Sequence, residues 1–293
     1  PVYPVNSYDP FNPVSNQPVM QQMPQMAQGG GVMMQPIFGG IAQYFFAVDP
    51  LEELKNSQSV IIKQQPEFLE AFTGCETPNR YHVFAQTPRG YIYLFKCLER
   101  SGCCMRNWCS SSNREFNMEI RHILNSSQFD PNFAKTFANA LKQFKCSCFC
   151  LNRPEMIITL VDTGKFIGKI VNPYTCCDPE FKVYDEKGML KYVVTADCCQ
   201  CGLICNNNIF GKLSEVVFRI LPGKGGSQVG VIMKKAAQFH EMITDADSYI
   251  VNFPQDATPE DKLLLTCLGL FIDYMYFEED AGDSNTRRHH RNY

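Results

Sequence analysis

Residues 258–278, TPEDKLLLTCLGLFIDYMYFE, are the stretch that decides the fold. Thr258 and Asp261 have the spacing of a helical capping box, and Pro259 suits the first helical position, so a helix is predicted to begin here. Apolar residues then follow on every side of the predicted helix. A helix without a polar face must be buried, either in protein or in lipid.

Burial in protein fits this stretch better than burial in lipid. The apolar run from Leu263 to Phe277 has 15 residues, whereas crossing a bilayer takes about 20. Asp273 would cost about 2.5–3.5 kcal/mol at a bilayer centre, although less near the bilayer surface. The preferred prediction is a helix inside a β-barrel, and a transmembrane anchor is the alternative. The residues predicted to be buried are Leu263, Leu268, Phe271 and Asp273.

The segments before this helix alternate apolar and polar residues, as β-strands do. Residues 80–95, RYHVFAQTPRGYIYLF, are typical of two strands joined by a Pro-Arg-Gly turn. Residues 180–194, EFKVYDEKGMLKYVV, repeat this pattern about 100 residues later. A cysteine cluster and a further strand follow each hairpin. The sequence therefore predicts a duplicated antiparallel unit and a mainly β fold, in which two halves of at least five strands each close into a barrel.

Composition limits the partners and the location of the protein. A formal charge of −3 gives no general attraction for nucleic acid. The first 54 residues contain neither Lys nor Arg, which argues against a secretory signal and against a transit peptide. We therefore expect a cytosolic protein whose 15 cysteines stay reduced.

Three regions are expected along the chain. Residues 1–40 are rich in Pro, Gln, Asn, Met and Gly, and they are predicted to be disordered because they bury too little apolar surface to fold. Two PxxP spacings in this tail, Pro1/Pro4 and Pro10/Pro13, are compatible with an SH3- or WW-type partner, and a flexible tail without a partner is the alternative. Residues 41–280 form the folded domain, and residues 281–293 form a polar tail.

One cysteine cluster suits lipid attachment. In FKCSCFC, residues 144–150, Cys146, Cys148 and Cys150 alternate with other residues and follow Lys142 and Lys145. If the stretch is extended, all three thiols lie on one side. Lysine-flanked thiols beside apolar residues suit S-acylation, and two or three acyl chains make a stable membrane anchor. A structural strand at the barrel rim is the alternative.

A second cluster offers the thiols of a metal site. CCQCGLIC, residues 198–205, contains four cysteines that could hold zinc. Their spacing gives one C-x2-C pair but no second such pair within the cluster, so small buried residues and thiols at hairpin ends are the preferred interpretation, and zinc is not the expected cofactor. The candidate zinc ligands are Cys198, Cys199, Cys201 and Cys205.

Five stretches, in this order, cover roughly residues 45–278: IIKQQPEFLEAFTGCE, CCMRNWC, CSCFC, TDADSYIVNFPQDATPEDK and LFIDYMYFE. Together they resemble the phospholipid scramblase family. The resemblance implies a tubby-like fold, in which twelve antiparallel strands form a closed barrel around the hydrophobic C-terminal helix. It also implies calcium-stimulated, ATP-independent movement of phospholipids between membrane leaflets. Palmitoylated cysteines would attach the protein to the cytoplasmic face of the plasma membrane or of another organelle membrane.

The same resemblance assigns calcium binding to residues 245–256, DADSYIVNFPQD. Its three aspartates place carboxylates at positions 1, 3 and 12 of a calcium loop. The remaining positions depart from an EF-hand, since an Ile stands where a Gly is needed and an Asp replaces the bidentate Glu. The central alternation equally predicts a strand flanked by solvated acids. The candidate calcium ligands are Asp245, Asp247, Tyr249, Val251, Phe253 and Asp256.

An inserted segment, residues 125–146, departs from the family pattern. Asp130 followed by Pro131 is a helix start, and in a helix from there an aromatic stripe lies opposite two lysines. Such helices commonly lie in the membrane interface, and packing on the barrel is the alternative. The residues of this predicted membrane-interface helix are Phe133, Phe137, Phe144, Lys135 and Lys142.

No sequence pattern indicates a catalytic centre. The segment 221–230, LPGKGGSQVG, lacks the Gly-Lys-Ser/Thr of a phosphate-binding loop and predicts a hairpin turn. Moving lipids between leaflets needs no covalent chemistry, so a non-enzymatic scramblase acting on membrane phospholipids is the preferred hypothesis. The alternative is an acyl-anchored adaptor that binds lipid or protein, because a barrel filled by its own helix offers no polar path across a core about 30 Å thick.

Overall fold

A computed structural model describes residues 45–46, 49–65, 78–87, 90–102, 114–123, 134–145, 153–204, 214–235 and 248–277. The strands within these ranges are β1 (Phe45–Phe46), β2 (Ser59–Gln64), β3 (Arg80–Thr87), β4 (Gly90–Arg100), β5 (Phe116–Ile123), β6 (Ala134–Lys142), β7 (Glu155–Leu160), β8 (Phe166–Val171), β9 (Glu180–Asp185), β10 (Leu190–Thr195), β11 (Val216–Pro222), β12 (Gly230–Lys234) and β13 (Ser248–Asn252). The helices are α1 (Pro50–Asn56), α2 (Cys201–Ile204) and α3 (Pro259–Tyr276).

Twelve of these strands form a closed ring. From β2 to β13 each strand pairs antiparallel with the next, and β13 returns to pair with β2. Closure leaves the ring without an exposed sheet edge. β1 lies outside the ring and pairs in parallel with the first half of β4. The predicted twelve-stranded antiparallel barrel of a mainly β, tubby-like fold is therefore confirmed.

The duplicated sequence pattern corresponds to strands that lie six places apart in the barrel. β3 and β4 form the first hairpin and β9 and β10 the second, with β5 and β11 following them. The predicted turn between β11 and β12 is also present, and it contains Gly225 and Gly226 with φ of 83° and 134°. Glycine adopts these left-handed backbone angles without strain, so the residue type suits the turn.

α3 fills the barrel. All its residues from Asp261 to Tyr274 are buried. The backbone N–H of Thr258 donates to the Asp261 carboxylate and the N–H of Asp261 donates to the Thr258 hydroxyl, both at 3.1 Å, so the predicted capping box is present. Leu263, Leu268 and Phe271 have no exposed surface. The buried helix predicted from the sequence is confirmed, and no helix in the described ranges is long and apolar enough to cross a bilayer.

The two ends of the barrel differ. We call the end where α3 begins the hairpin end, because short turns join most strands there. At this end Lys262 Nζ donates to the carbonyls of Lys55 (2.9 Å) and Ser57 (2.7 Å), at the C-terminus of α1. At the opposite end, β2, β4, β6, β8, β10, β12 and α3 terminate. Of the seven cysteines that the structure describes, Cys97 lies in β4 and Cys267 in α3, and the other five belong to segments that join strands at this second end. We call it the cysteine end.

The predicted membrane-interface helix is wrong. Residues 134–142 form β6, which pairs with β5 and β7. The phenylalanine spacing fits a helix, but a strand is needed here to close the barrel, and pairing on both sides outweighs local preference. The small residues Ala138 and Ala140 point into the core at every second position, as a strand requires.

The side chains assigned to that helix have separate roles. Lys142 is buried and donates its Nζ to the Arg114 carbonyl at 2.6 Å. Phe137 stacks on Phe95 with ring centroids 5.6 Å apart. Lys135 forms an exposed ion pair of 2.6 Å with Asp162 near the hairpin end. Phe144 follows the strand and is 49% exposed, while Phe133 lies outside the described residues.

Candidate functional site

A buried carboxylate on α3 connects the helix to the barrel wall. Tyr81 of β3 donates its hydroxyl to Asp273 Oδ2, and Tyr249 of β13 donates to Oδ1, each at 2.5 Å. All three residues are buried. Because β2 lies between β3 and β13 in the sheet, the two bonds reach Asp273 from separate strands and fix the rotation of α3 about its axis.

Tyr274, the next residue of α3, makes further contacts at the cysteine end. Its hydroxyl accepts a hydrogen bond from Asn79 Nδ2 at 3.2 Å, and its ring stacks on Phe116 with centroids 4.0 Å apart. The Arg114 guanidinium lies 5.3 Å from the same ring and forms a buried ion pair of 3.4 Å with Glu99. Side chains of the helix and wall therefore fill the part of the interior that the structure describes.

The candidate calcium segment is a strand in its centre. Tyr249 and Val251 of β13 face the core, and Phe253 is buried just after the strand. The Tyr249 hydroxyl already contacts Asp273. The continuous calcium loop is therefore wrong, and the alternative prediction of a strand is confirmed for the described residues.

Strand length also separates the candidate calcium ligands. The five residues of β13 span about 13 Å, and Asp256 lies exposed beyond the hairpin end of that strand. Calcium ligands all lie within about 2.6 Å of the ion. Asp256 therefore does not fit a site shared with carboxylates that precede β13. Asp245 and Asp247, which precede it, lie outside the described residues.

The cysteine end exposes several thiols. Cys176 and Cys177 between β8 and β9, and Cys199 and Cys201 after β10, are exposed. The Sγ atoms of Cys198 and Cys199 lie 3.8 Å apart. In the described ranges no three His, Cys, Asp or Glu side chains have the geometry to hold a metal ion. The structure therefore does not bring Cys198, Cys199 and Cys201 together as zinc ligands, and Cys205 lies outside the described residues.

Cys198 differs from its neighbours because it contacts a carboxylate. Asp178 accepts a hydrogen bond from the Cys198 backbone N–H at 2.9 Å. The hydrogen bond between the Cys198 thiol and the same carboxylate raises the thiol's pKa to about 11. Cys198 is therefore a poor nucleophile near neutral pH.

The other predicted functional segments lie outside the described residues. They are residues 1–40, the polar tail 281–293, and the acylation candidates Cys146, Cys148 and Cys150 between β6 and β7.

His82 lies on the outer side of β3, and its pKa departs strongly from the ordinary value of histidine. Its Nδ1 lies 3.0 Å from the Tyr93 hydroxyl. Burial, and to a smaller extent the charge of Lys96, lower the pKa of His82 from 6.5 to about 4. The imidazole is therefore neutral in the folded protein near neutral pH.

We expect acid to destabilise the protein through His82. As the pH falls below 6.5, the unfolded chain binds a proton at this residue, whereas the folded protein binds it only near pH 4. The free energy of unfolding should therefore fall by about 3 kcal/mol across this interval because of His82. Urea unfolding at successive pH values should show a shallower acid dependence for His82→Gln than for the unsubstituted protein. Equal slopes would contradict the assignment.

The sequence interpretation included Asp273 among the buried residues but missed its partners. The available signal was a single acid within an apolar helix, which needs donors from the surrounding wall. Tyr81 and Tyr249 occupy inward positions of strands, which alternation alone could have identified. The pairing of these three residues required the register of the barrel.

Comparison with known proteins identifies relatives that cover most of the chain. The Scramblase family profile matches residues 44–279. Phospholipid scramblase 1 of Mus musculus is 29% identical over 238 residues, which cover 80% of this chain and 65% of the relative. Phospholipid scramblase 1 of Rattus norvegicus is 28% identical over 240 residues, with 80% and 64% covered. Phospholipid scramblase 2 of Bos taurus is 26% identical over 235 residues, with 80% and 73% covered.

The chain thus spans just under two thirds of the length of the scramblase 1 relatives. No solved structure matches it significantly. The profile match begins just before β1 and ends just after α3, so it includes the complete barrel and the helix within it. The resemblance seen in the sequence is confirmed, and the chain belongs to the scramblase family.

Proposed function

We propose that this chain moves phospholipids between membrane leaflets in both directions, without ATP and under stimulation by calcium. The observation that supports this function is the similarity to phospholipid scramblase 1 over 80% of the chain. Lipid movement needs no covalent step, so the protein acts by binding rather than as an enzyme.

The proposed attachment is peripheral, at the cytoplasmic face of the plasma membrane or of another organelle. Palmitate on Cys146, Cys148 and Cys150 would supply the anchor, since two or three acyl chains hold a protein stably at a membrane. Phe144, just before these cysteines, is 49% exposed, which supports this placement. The flanking lysines do not add to it, because Lys142 is buried and Lys145 forms an ion pair of 2.8 Å with Glu155.

The filled barrel constrains how lipid could move. The interior of the described barrel is occupied by α3, so a headgroup would have to pass along the outer surface. The same observation favours a second candidate function, an acyl-anchored adaptor that binds lipid or protein without moving lipid. SH3- or WW-type proteins that recognise the Pro-rich tail are the proposed protein partners.

Purified protein in liposomes with labelled lipid in both leaflets distinguishes the two functions. Calcium-dependent loss of inner-leaflet protection from a membrane-impermeant quencher supports lipid movement. Binding to the liposomes without such a loss supports the adaptor. Heat-denatured protein controls for leakage caused by the preparation.

The calcium response should depend on the aspartates that precede β13. We expect Asp245→Ala with Asp247→Ala to abolish calcium stimulation in this assay, because the two carboxylates are the remaining candidate ligands of the segment. Asp256→Ala is the matched control and should leave the response unchanged, since β13 separates it from the other two. A normal calcium response in the double variant would contradict the site, as would its loss in Asp256→Ala.

A further inference from the structure

We propose that four exposed thiols at the cysteine end, Cys176, Cys177, Cys199 and Cys201, are additional S-acylation sites. The inference rests on the proposed acyl anchor and adds acceptors on a different part of the barrel rim. These four form what we call the rim thiols.

The rim thiols belong to two connections that lie side by side. Glu180 at the start of β9 pairs with Thr195 at the end of β10. Beyond the strands, the Ala196 backbone N–H donates to the Pro179 carbonyl at 3.1 Å. One step further from the strands, the Cys198 backbone N–H donates to the Asp178 carboxylate at 2.9 Å, so the two connections also contact each other beside their cysteines. Cys177 and Cys199 are therefore each one residue from a contact that joins the two connections.

Exposure separates the rim thiols from the structural cysteines. All four are free and exposed, whereas Cys97 and Cys267 are buried in the core. No metal geometry is present among the described residues around them. Packing in the core therefore does not account for these four exposed thiols, and accessible thiols are the ones that an acyl donor can reach.

The position of the rim thiols relative to the proposed anchor favours lipid attachment. Lys142 of β6 pairs with Met156 of β7, and Glu155 pairs with Val171 of β8, so the ends of these strands are level. The chain from β6 to β7, which contains the proposed anchor, thus leaves and re-enters the barrel at the same end as the rim thiols.

Of the three exposed aromatic residues in the described ranges, two lie at the same end and the third, Phe166, lies at the hairpin end. Tyr174 is 57% exposed and precedes Cys176 by two residues, and Phe144 is 49% exposed beyond β6. Tyrosine and other aromatic residues are enriched where protein meets the membrane surface. The hairpin end also exposes apolar side chains, but its described residues include no cysteine.

The proposed modification is a thioester exchange with a long-chain acyl-CoA. The cysteine sulfur bonds to the acyl carbonyl carbon, the bond from that carbon to the coenzyme A sulfur breaks, and the thiol proton is transferred to the coenzyme A thiolate. No oxidant or reductant is needed. Each further chain strengthens membrane attachment, because one chain alone gives marginal residence.

Site-resolved acyl exchange on the full chain from eukaryotic cells tests the inference without any substitution. Free thiols are blocked with N-ethylmaleimide, thioesters are cleaved with neutral hydroxylamine, and the released thiols receive an isotopic label. Trypsin then separates the clusters, because Lys169 and Lys182 bound a peptide with Cys176 and Cys177, and Lys191 and Lys212 bound one with Cys199 and Cys201. The second peptide also contains Cys198 and Cys205, so fragmentation of the peptide assigns its label to individual cysteines. The anchor cysteines lie in a third peptide that begins after Lys145.

Hydroxylamine-dependent label at Cys176, Cys177, Cys199 and Cys201 is the expected result. Label in the anchor peptide alone would overturn the inference and leave the proposed anchor intact. Label in none of the three peptides would overturn both. Label missing from one rim peptide would remove that pair from the site. The buried Cys97 and Cys267 are internal controls, and they should stay unlabelled if acylation occurred on the folded protein.

Discussion

Replacing Asp273 by Ala is expected to destabilise the folded protein by about 3–5 kcal/mol. The substitution removes the acceptor of two buried hydrogen bonds of 2.5 Å, from Tyr81 and Tyr249. Each hydroxyl then loses a partner inside the barrel, where water does not replace it. The measurement is the midpoint of urea unfolding followed by far-UV circular dichroism.

Two variants separate the hydrogen bonds from the general effect of a substitution. Asp273→Asn keeps one acceptor oxygen and should cost clearly less than Asp273→Ala. Asp256→Ala removes an exposed carboxylate beyond the hairpin end and should stay within about 0.5 kcal/mol of the unsubstituted protein. If Asp273→Ala were as stable as Asp256→Ala, the proposed connection between helix and wall would be wrong.

Gly168→Val should be comparably damaging, for a steric reason. Gly168 lies in β8 and faces α3, where an added Cβ would lie 2.2 Å from the Tyr184 carbonyl oxygen and 2.9 Å from a Leu264 methyl group. The Tyr184 oxygen belongs to the backbone of the paired strand β9, so it cannot move away from the added Cβ as a flexible side chain could. We expect a loss of about 3 kcal/mol or more in the free energy of unfolding, because overpacking displaces both the neighbouring strand and the helix.

The neighbouring residue provides the control for Gly168→Val. Lys169 occupies the next position of β8, where alternation turns its side chain toward the outside. Valine suits strands, so Lys169→Val should be close to neutral. Yield of folded protein and unfolding midpoint are the measurements. A stable Gly168→Val protein would show that α3 does not pack as closely on β8 as described.

Local sequence patterns carried most of the information about the fold. The capping box at Thr258 and the apolar run after it depend on neighbouring residues, so they were recognisable without tertiary knowledge. The two hairpins were recognisable for the same reason. β6 was not, because Phe137 has a helical spacing with Phe133 and Phe144, which flank the strand, and the small inward residues Ala138 and Ala140 give a weak strand pattern.

The candidate site was harder to predict from the sequence than the fold was. The calcium segment was selected by the spacing of its acids along the chain, but spatial separation depends on whether the chain between them is extended. β13 places Asp256 at the opposite end from the residues before the strand. The proximity of the connections that contain Cys177 and Cys199 likewise follows from the pairing of β9 and β10, which joins residues distant in sequence.

The position of α3 after all thirteen strands has a consequence for biosynthesis. The contact between Lys262 and the carbonyl of Lys55 joins residues separated by 207 positions. At a translation rate of about 5–20 residues per second, β2 emerges about 10–40 s before the helix that fills the barrel, and the other barrel strands follow within that interval. During that time their inward apolar faces have no partner, and such chains are prone to aggregate. The nascent protein should therefore depend on ribosome-associated chaperones until α3 leaves the exit tunnel.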